Sequence, residues 1–415
     1  MKSSIAALIG GASTALAAVR GFNYAAQEQT RSAFEASFRT AAALEGTEDY
    51  TSARLYTMIQ EGTTNTPIEA IPAAIDTQTT LLLGLWTSSP QSTFDNEIVA
   101  LKSAISQYGS AFADLVVGIS VGSEDLYRIS ATGIANDPLG VGQTPDVLVN
   151  YIGQVRKAIE GTSLSGKPIG HVDTWNAFLN SSNSAVIAAC DFLGLDEYPY
   201  FQTTDPNSIE NGKELFFEAY DKVQAVAPGK QIWVTEAGWP TVGAKSGDAV
   251  ASIENAEIFW QDVACELEDR NIDFWWYILE DTGANPSFGV SQGGKPLYNL
   301  ACNATSSSNS TSSHSTTGGN STSTGSSTNS TSSGYHNGTA STSSTTRATG
   351  TGISASSSAS ATSGSGSGSG SSGSSATRSG SASSPSVSSY ISGAGKVEGT
   401  IFSLIVAAIM AALAL

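Results

Sequence analysis

The sequence Lys230-Gln-Ile-Trp-Val-Thr-Glu-Ala-Gly-Trp-Pro240 decides how the rest of the chain is interpreted. Its apolar run, Ile232 to Val234, leads directly to one carboxylate, Glu236, and to a turn that contains Gly238. A short apolar run flanked by turn residues is typical of a strand buried on both faces in a parallel sheet. Loops that follow such strands usually carry a protein's chemistry. We therefore interpret Glu236 as an acid presented at the end of a buried strand.

Short apolar or aromatic segments recur along residues 19–302, and amphipathic stretches separate most of them. In the clearest helical stretch, Thr144 can cap the helix, Pro145 takes its first position and Gly161 can end it. Eight short strands that alternate with helices predict an α/β fold, the (β/α)8 or TIM barrel. This fold typically needs roughly 250 residues. The predicted strands are Gly21–Tyr24, Ala53–Tyr56, Thr80–Trp86, Val116–Val121, Pro168–Val172, Phe192–Leu195, Ile232–Val234 and Phe274–Tyr277.

An open, doubly wound sheet is the competing architecture. A nucleotide-binding version would place a glycine-rich phosphate loop after the first strand, and none follows Tyr24. The glycines between Gly364 and Gly373 belong to a Ser-Gly repeat with no strand before it. We therefore favour the closed barrel.

Both ends of the chain differ in composition from the middle. Residues 1–18 combine Lys2 with an apolar stretch ending in Ala15-Leu-Ala17, which predicts a signal peptide and hence secretion. Residues 303–392 are almost all Ser, Thr and Gly, and they are expected to form a disordered, glycosylated stalk. Residues 393–415 end in an apolar tail shorter than the roughly 20 residues of a membrane span. They predict a glycosylphosphatidylinositol (GPI) anchor signal, with a short tail anchor as the alternative. The expected anchor residue is Gly393 or Ser392.

Acidic residues are concentrated in the middle of the chain. The sequence has 37 Asp and Glu against 19 Lys and Arg, and Glu398 is the one acidic residue beyond residue 302. Such an acidic domain repels phosphate backbones, which argues against a nucleic-acid partner. A neutral polysaccharide meets no such repulsion.

Three cysteines leave an odd thiol in a secreted protein. Cys190 ends the apolar run Ala185-Val-Ile-Ala-Ala-Cys190, where a cysteine usually serves as a small buried hydrophobe. We therefore expect a bridge between Cys265 and Cys302 that ties the end of the domain to a preceding helix. Acceptor sequons for N-glycosylation occur at Asn180, Asn303, Asn309, Asn320, Asn329 and Asn337.

The scarcity of histidine limits the possible mechanisms. His171 is the one histidine within residues 19–302, and no Gly-x-Ser-x-Gly motif accompanies it, which argues against hydrolysis by a serine and a histidine base. A zinc site built on several histidines and cysteines lacks its ligands. We interpret His171 as a polar residue within the fifth strand, and we expect neither a metal nor an organic cofactor.

Carboxylates remain, and in this fold functional groups stand at the carboxyl ends of strands. Glu124 follows the apolar run of the fourth strand, and Glu236 ends the seventh. The two side chains are therefore expected to approach each other across the barrel mouth. Paired carboxylates are what glycosidic bond hydrolysis requires. The rival carboxylates near predicted strand ends are Asp125, Glu197, Glu280 and Asp281.

Several motifs resemble those of glycoside hydrolase family 17. They are Val121-Gly-Ser-Glu124, Tyr198-Pro-Tyr-Phe201 and Trp233-Val-Thr-Glu-Ala-Gly-Trp-Pro240, and the resemblance extends from Gly21 to Leu300. The layout, with a Ser/Thr-rich tail and a lipid-anchor signal, is similar to that of the fungal wall-associated glucan endo-1,3-β-glucosidases of that family.

The resemblance implies a retaining mechanism on β-1,3-glucan. It assigns Glu236 as the nucleophile and Glu124 as the general acid and base. Many family members have Asn immediately before the acid, where it is expected to bind the sugar 2-hydroxyl, whereas this chain has Ser123. The shorter serine side chain puts that contact in doubt or requires a water in between.

Other residues near strand ends are interpreted as support for this pair. Arg54, Tyr56 and Tyr198 are positioned to hold Glu236 ionised and oriented, with structural packing as an equal alternative. Aromatic residues that could stack on glucose rings, or equally pack in the core, are Trp175, Tyr200, Phe201, Trp239 and Trp276.

The sequence therefore predicts a secreted, monomeric endo-β-1,3-glucanase that is held at the plasma membrane or in the cell wall by a GPI anchor. A β-1,3-glucanosyltransferase would use the same residues, with a sugar hydroxyl in place of water. A non-catalytic wall glycoprotein or adhesin is the alternative from a different class.

Overall fold

The computed structural model describes residues 17–27 and 29–302. Eight parallel strands within them close into a barrel in sequential order, and the last pairs with the first. The predicted (β/α)8 fold is confirmed. The strands are β1 (Arg20–Tyr24), β2 (Ser52–Leu55), β3 (Thr80–Leu85), β4 (Val116–Ser123), β5 (Ile169–Thr174), β6 (Phe192–Glu197), β7 (Gln231–Ala237) and β8 (Phe274–Trp276).

Helices surround this barrel in the described residues. They are α1 (Arg31–Ala43), α2 (Ala70–Thr77), α3 (Gln91–Ala113), α4 (Asp125–Arg128), α5 (Ala131–Asn136), α6 (Pro145–Ile159), α7 (Trp175–Leu179), α8 (Ser184–Ala189), α9 (Ile209–Val226), α10 (Ile253–Phe259) and α11 (Cys265–Asp269). After β8, a short antiparallel ribbon pairs β9 (Ser291–Gln292) with β10 (Lys295–Pro296).

Helix α6 illustrates how the local sequence determines an element. Pro145 occupies its first turn, where the missing N–H is not needed, and Gly161 follows its end with a positive φ of 71°. Its apolar stripe lies on one face and is buried against the barrel, as the 3.6-residue period predicts. The buried stripe consists of Leu148, Tyr151, Ile152, Val155 and Ile159.

Side chains pack the interior of the barrel near the amino-terminal ends of its strands. Leu82, Phe192, Trp233 and Trp275 form a buried cluster there, with the rings of Phe192 and Trp233 stacked 3.8 Å apart. Gly118 faces these rings, and a Cβ at that position would lie 2.7 Å from the Trp233 ring. The floor of the mouth is therefore rigid, which fixes the strand ends above it.

The end of the described domain is tied down covalently. A disulfide joins Cys265, at the start of α11, to Cys302, the last described residue, with their Cα atoms 5.2 Å apart. Cys190 is free and buried. Both findings agree with the sequence interpretation.

Several sequence predictions concern other parts of the chain. The signal peptide lies almost wholly in residues 1–16, and the stalk and anchor signal lie in residues 303–415, all outside the described residues. The sequons from Asn303 onwards also lie outside them, whereas Asn180 is exposed. Among the helices that are described, none is long and apolar enough to cross a membrane.

Candidate active site

Glu236 stands at the carboxyl end of β7 and points into the mouth of the barrel. Its side chain is mostly buried, with 8% of the residue exposed. The chain then turns at Gly238, where an added Cβ would lie 2.5 Å from the carbonyl oxygen of Tyr277. A glycine is therefore required for the turn that follows the acid.

Three donors converge on the Glu236 carboxylate. Arg54 Nη1 donates to Oε1 at 2.5 Å, and the hydroxyl of Tyr56 donates to the same oxygen at 2.7 Å. The Tyr198 hydroxyl donates to Oε2 at 2.8 Å. Hydrogen bonds from charged and hydroxyl donors stabilise a carboxylate in its ionised form and fix its orientation. The structure therefore places all three predicted supporting residues on this one side chain.

Arg54 is itself held by neighbouring side chains. It is 1% exposed, and Nη1 also donates to Asn23 Oδ1 at 2.7 Å, while Nη2 donates to Ser123 Oγ at 2.9 Å. Ser123 thus accepts a bond from the arginine that binds Glu236. This contact links the ends of β2, β4 and β7.

Glu124 comes immediately after β4 and has an unusual backbone. Its φ and ψ of 57° and 26° lie in the left-handed region, which costs about 1–2 kcal/mol for a residue with a side chain. Its N–H donates to the Val172 carbonyl at 2.9 Å, which fixes the turn to β5. Strained backbone of this kind is concentrated at functional sites. The turn directs the Glu124 side chain back toward Glu236.

Glu124 is somewhat more buried than Glu236, and its carboxyl has fewer donors close to it. It is 4% exposed, and its nearest cation is Arg128, at 3.6 Å between Nη2 and Oε2. Burial raises its pKa to about 8, the positive charge of Arg128 opposes this rise, and the negative charge of Glu236 adds to it. At neutral pH this raised pKa favours the protonated form of Glu124.

Asp196 is a third carboxyl group at the mouth that the sequence analysis did not single out. It pairs with Glu236 in the β6–β7 ladder, and one oxygen each of Glu124, Asp196 and Glu236 lie within 4.8 Å of one another. These three carboxyls could converge on a metal ion, but Arg54 already donates to Glu236 and opposes a second cation. The absence of a metal and of a cofactor stays a prediction.

His171 and Asp173 on β5 form a buried support beneath Glu124. His171 Nε2 lies 3.0 Å from Asp173 Oδ2, and its Nδ1 lies 2.7 Å from the Val121 carbonyl. Asp173 accepts hydrogen bonds from the backbone N–H groups of Leu126 and Tyr127 in α4. His171 is thus a structural residue of the fifth strand, in agreement with its interpretation from the sequence.

The predicted sugar-stacking aromatics separate into two groups, and three of the five are corrected. Trp239, Trp276 and Tyr200 are 1%, 1% and 2% exposed, so their ring faces are not available to a sugar. They pack in the layer between the barrel and the helices, where Trp239 lies 5.6 Å and Trp276 lies 5.8 Å from the Phe259 ring. Sequence position alone does not reveal which face of a strand end a side chain occupies.

Trp175 and Phe201 do lie beside the acids. They line a pocket of about 30 Å³ together with Glu124, Asp196 and Tyr127. Trp175 is half-buried, whereas Phe201 is buried. Of these two rings, Trp175 is therefore the one with a partly exposed face beside Glu124.

The rival carboxylates have structural partners. Asp125 accepts from the Ser88 hydroxyl at 2.5 Å, and Glu197 accepts from the Gln202 amide at 2.9 Å. Asp281 accepts from the backbone N–H groups of residues 288 and 289, and Glu280 accepts from that of residue 294. These last two therefore hold the loop after β8.

Residues 21–290 match the family described as the BtgE/BtgC glycoside hydrolase domain. The chain belongs to this family. The family resemblance inferred from the motifs is thereby confirmed, and the two glutamates lie within the matched glycoside hydrolase domain.

Individual members and structures agree with this assignment. The chain is 55% identical to a probable glucan endo-1,3-beta-glucosidase eglC of Aspergillus fumigatus, over 71% of this chain and 67% of that protein. It is 53% identical to the protein of the same name from Emericella nidulans, over 74% and 68%. A glycoside hydrolase family 17 beta-1,3-glucanosyltransferase from Rhizomucor miehei is 25% identical, with a TM-score of 0.55 over 68% of this chain and 98% of that one.

Proposed function

We propose that this BtgE/BtgC-type glycoside hydrolase cleaves β-1,3-glucosidic bonds within glucan chains and retains the anomeric configuration. The observation that supports this most strongly is the pairing of a well-bonded carboxylate, Glu236, with a buried acid, Glu124, whose pKa is raised by burial. Carboxyl groups of retaining glycosidases are about 5–5.5 Å apart, and oxygens of these two lie within 4.8 Å. The substrate class comes from the relatives named as glucan endo-1,3-beta-glucosidases.

In the first step, Glu236 attacks the anomeric carbon while Glu124 transfers its proton to the departing glucosidic oxygen. The bond between carbon and leaving oxygen breaks, and an ester between the sugar and Glu236 forms. Arg54, Tyr56 and Tyr198 hold the attacking carboxylate at a fixed angle, so little reorganisation is needed.

In the second step, water attacks the anomeric carbon from the side that the leaving group vacated. Glu124, now ionised, takes a proton from this water, and the ester to Glu236 breaks. The negative charge of Glu236 helps to raise the pKa of Glu124, and ester formation removes that charge. Glu124 therefore loses its proton more readily in the covalent intermediate, as its second task requires.

One assay tests this proposal. The protein is incubated with a defined β-1,3-gluco-oligosaccharide, and NMR follows the anomer of the first products while chromatography measures their length. We expect internal cleavage with the β-anomer formed first, and no reaction with a β-1,4-linked oligosaccharide of the same length. Initial release of the α-anomer would overturn the retaining mechanism, and absence of any cleavage would favour the non-catalytic wall glycoprotein.

Transfer to a second glucan chain is the alternative outcome of the same chemistry. It is favoured by the similarity to the Rhizomucor miehei glucanosyltransferase and by the partly exposed ring of Trp175 beside Glu124. An acceptor sugar bound there would displace the water of the second step. Products longer than the substrate at high oligosaccharide concentration would indicate transfer, and their absence would indicate hydrolysis.

We also propose that the protein works at the cell surface, secreted and held by a GPI anchor at Gly393 or Ser392. The composition of residues 1–18 and 393–415 supports this. A phosphatidylinositol-specific phospholipase should release the protein from membranes, whereas a chain that ends at residue 391 should be secreted freely. Membrane retention of the shortened chain would contradict the anchor.

A further inference from the structure

Asp196 is a buried acid with no assigned task, and its surroundings carry a further inference. It is 1% exposed, at the carboxyl end of β6. Its Oδ1 accepts from the Thr235 hydroxyl at 2.6 Å, whereas its Oδ2 is buried without a hydrogen-bond partner. A buried polar atom of this kind costs free energy unless a ligand or water satisfies it.

The position of this side chain is at the reaction centre. Asp196 lines the same small pocket as Glu124, next to Trp175, and its ladder partner on β7 is Glu236. Its carboxyl therefore borders the small pocket beside Glu124 and also lies close to the carboxyl of Glu236.

Burial and the neighbouring charges together favour one protonation state of Asp196. The charged and titratable groups around it are Glu236 on β7, Glu124 after β4, Arg54 on β2 and Tyr198 after β6. Arg54 directs its terminal nitrogens to Glu236, Asn23 and Ser123, not to Asp196. Burial raises the pKa of Asp196 well above its usual range, Glu236 raises it further, and Arg54 opposes the rise.

We propose that Asp196 is a substrate-binding residue that works as a neutral carboxylic acid, with its Oδ2–H donating a hydrogen bond to a sugar hydroxyl between Glu124 and Glu236. A carboxylic acid kept neutral by an apolar site is an effective donor. The neutral form also avoids a third negative charge beside the nucleophile. This role rests on the proposed glycosidase function, because it needs a sugar at the mouth.

Two substitutions of similar size test whether Asp196 donates a hydrogen bond to the substrate or only fills space. Asp196→Asn keeps a neutral N–H donor, whereas Asp196→Leu fills the space without one. We expect Asp196→Leu to lower kcat/KM on a β-1,3-gluco-oligosaccharide by roughly 10- to 100-fold, because a buried sugar hydroxyl then loses its partner. For Asp196→Asn, we expect the loss of kcat/KM to be several-fold smaller. Equal losses in both variants, or no loss in Asp196→Leu, would overturn the proposal.

A second measurement reads the proton directly and does not depend on activity or on whether Asp196→Leu folds. It compares infrared spectra of Glu124→Gln and of Glu124→Gln/Asp196→Asn at pH 7. Glutamine mimics protonated Glu124, and other buried acids cancel in the difference. We expect a carboxylic-acid carbonyl band that the second substitution removes; loss of carboxylate bands instead would show an ionised Asp196 and sink the idea. If the wild-type protein cleaves no glucan, the proposed function fails, and the donor role fails with it even where the band is present.

Discussion

The ends of β4 and β7 present the same functional group in opposite settings. Glu236, on β7, receives an arginine and two tyrosine hydroxyls at 2.5–2.8 Å. Glu124, after β4, has one cation at 3.6 Å and is 4% exposed. Because the two carboxyl groups are chemically identical, the placement of donors around them is what allows a fold to give them different roles.

Removing Glu236 is expected to have the largest effect. Glu236→Gln cannot form the glycosyl ester, so kcat/KM on β-1,3-glucan should fall by at least about 10⁴-fold. In Glu236→Gly, azide can fill the vacated space and attack an activated aryl β-glucoside from the α face. We expect NMR to find the α-glucosyl azide, whereas Glu124→Gly should give the β-azide. The reverse pattern would exchange the two roles.

Removing Glu124 should lower kcat/KM less than removing Glu236, and the size of the loss should depend on the leaving group. Glu124→Gln should lower kcat/KM on glucan by about 10²- to 10⁴-fold, the usual contribution of general acid catalysis. An aryl glucoside with an acidic phenol leaves without a proton, so its glycosylation step should lose much less. Equal losses on both substrates in pre-steady-state measurements would contradict the assignment of Glu124.

Single donors to Glu236 should matter less than the acids themselves. Tyr198→Phe removes the bond to Oε2 without changing the ring, and we expect a loss of roughly 10- to 100-fold in kcat, the value of one hydrogen bond to a charged group. Tyr220→Phe is the matched control, because that hydroxyl lies 3.4 Å from the Ile232 carbonyl, away from the mouth. Similar losses in the two variants would mean that Tyr198 acts only through stability.

The smallest effect is expected for Arg128→Gln, which should shift the pH dependence of kcat/KM. Only protonated Glu124 starts the reaction, and burial raises its pKa to about 8, so kcat/KM should decline as the pH rises through that value. Arg128 opposes the rise, so Arg128→Gln should move this alkaline limb to higher pH. Arg156→Gln, which breaks an exposed pair with Asp191, should leave the limb in place. A shift to lower pH in Arg128→Gln would contradict this electrostatic account.

The sequence alone predicts the barrel and the meeting of Glu124 and Glu236 at its mouth. Apolar runs mark buried strands, and residues just beyond them reach the mouth whatever the details of packing. Asp196 was missed because Glu197 follows it, and only one of two successive side chains can face inward. The β6–β7 ladder shifts register between Leu195 and Asp196 and brings Asp196 opposite Glu236. Such a shift depends on tertiary packing and has no local signal.

Aromatic residues were the least predictable part of the site. Trp239 follows Glu236 as closely as a substrate platform would, yet its indole N–H donates to the Val250 carbonyl and its ring packs on Phe259. In the core, a tryptophan can bury its apolar ring and hydrogen-bond its indole N–H as readily as it can against a sugar. The choice between the two depends on the helices that cover it.

The Cys265–Cys302 bridge determines how the domain responds to a pull. A load applied through the chain beyond residue 302 is shared at Cys302 between the backbone and the disulfide, which passes its part into α11. The hydrogen bonds from Trp260 to Leu300 and from Gln261 to Asn299 lie behind this covalent clamp. The disulfide therefore keeps the last described residues beside α11 when force is applied through the chain beyond residue 302.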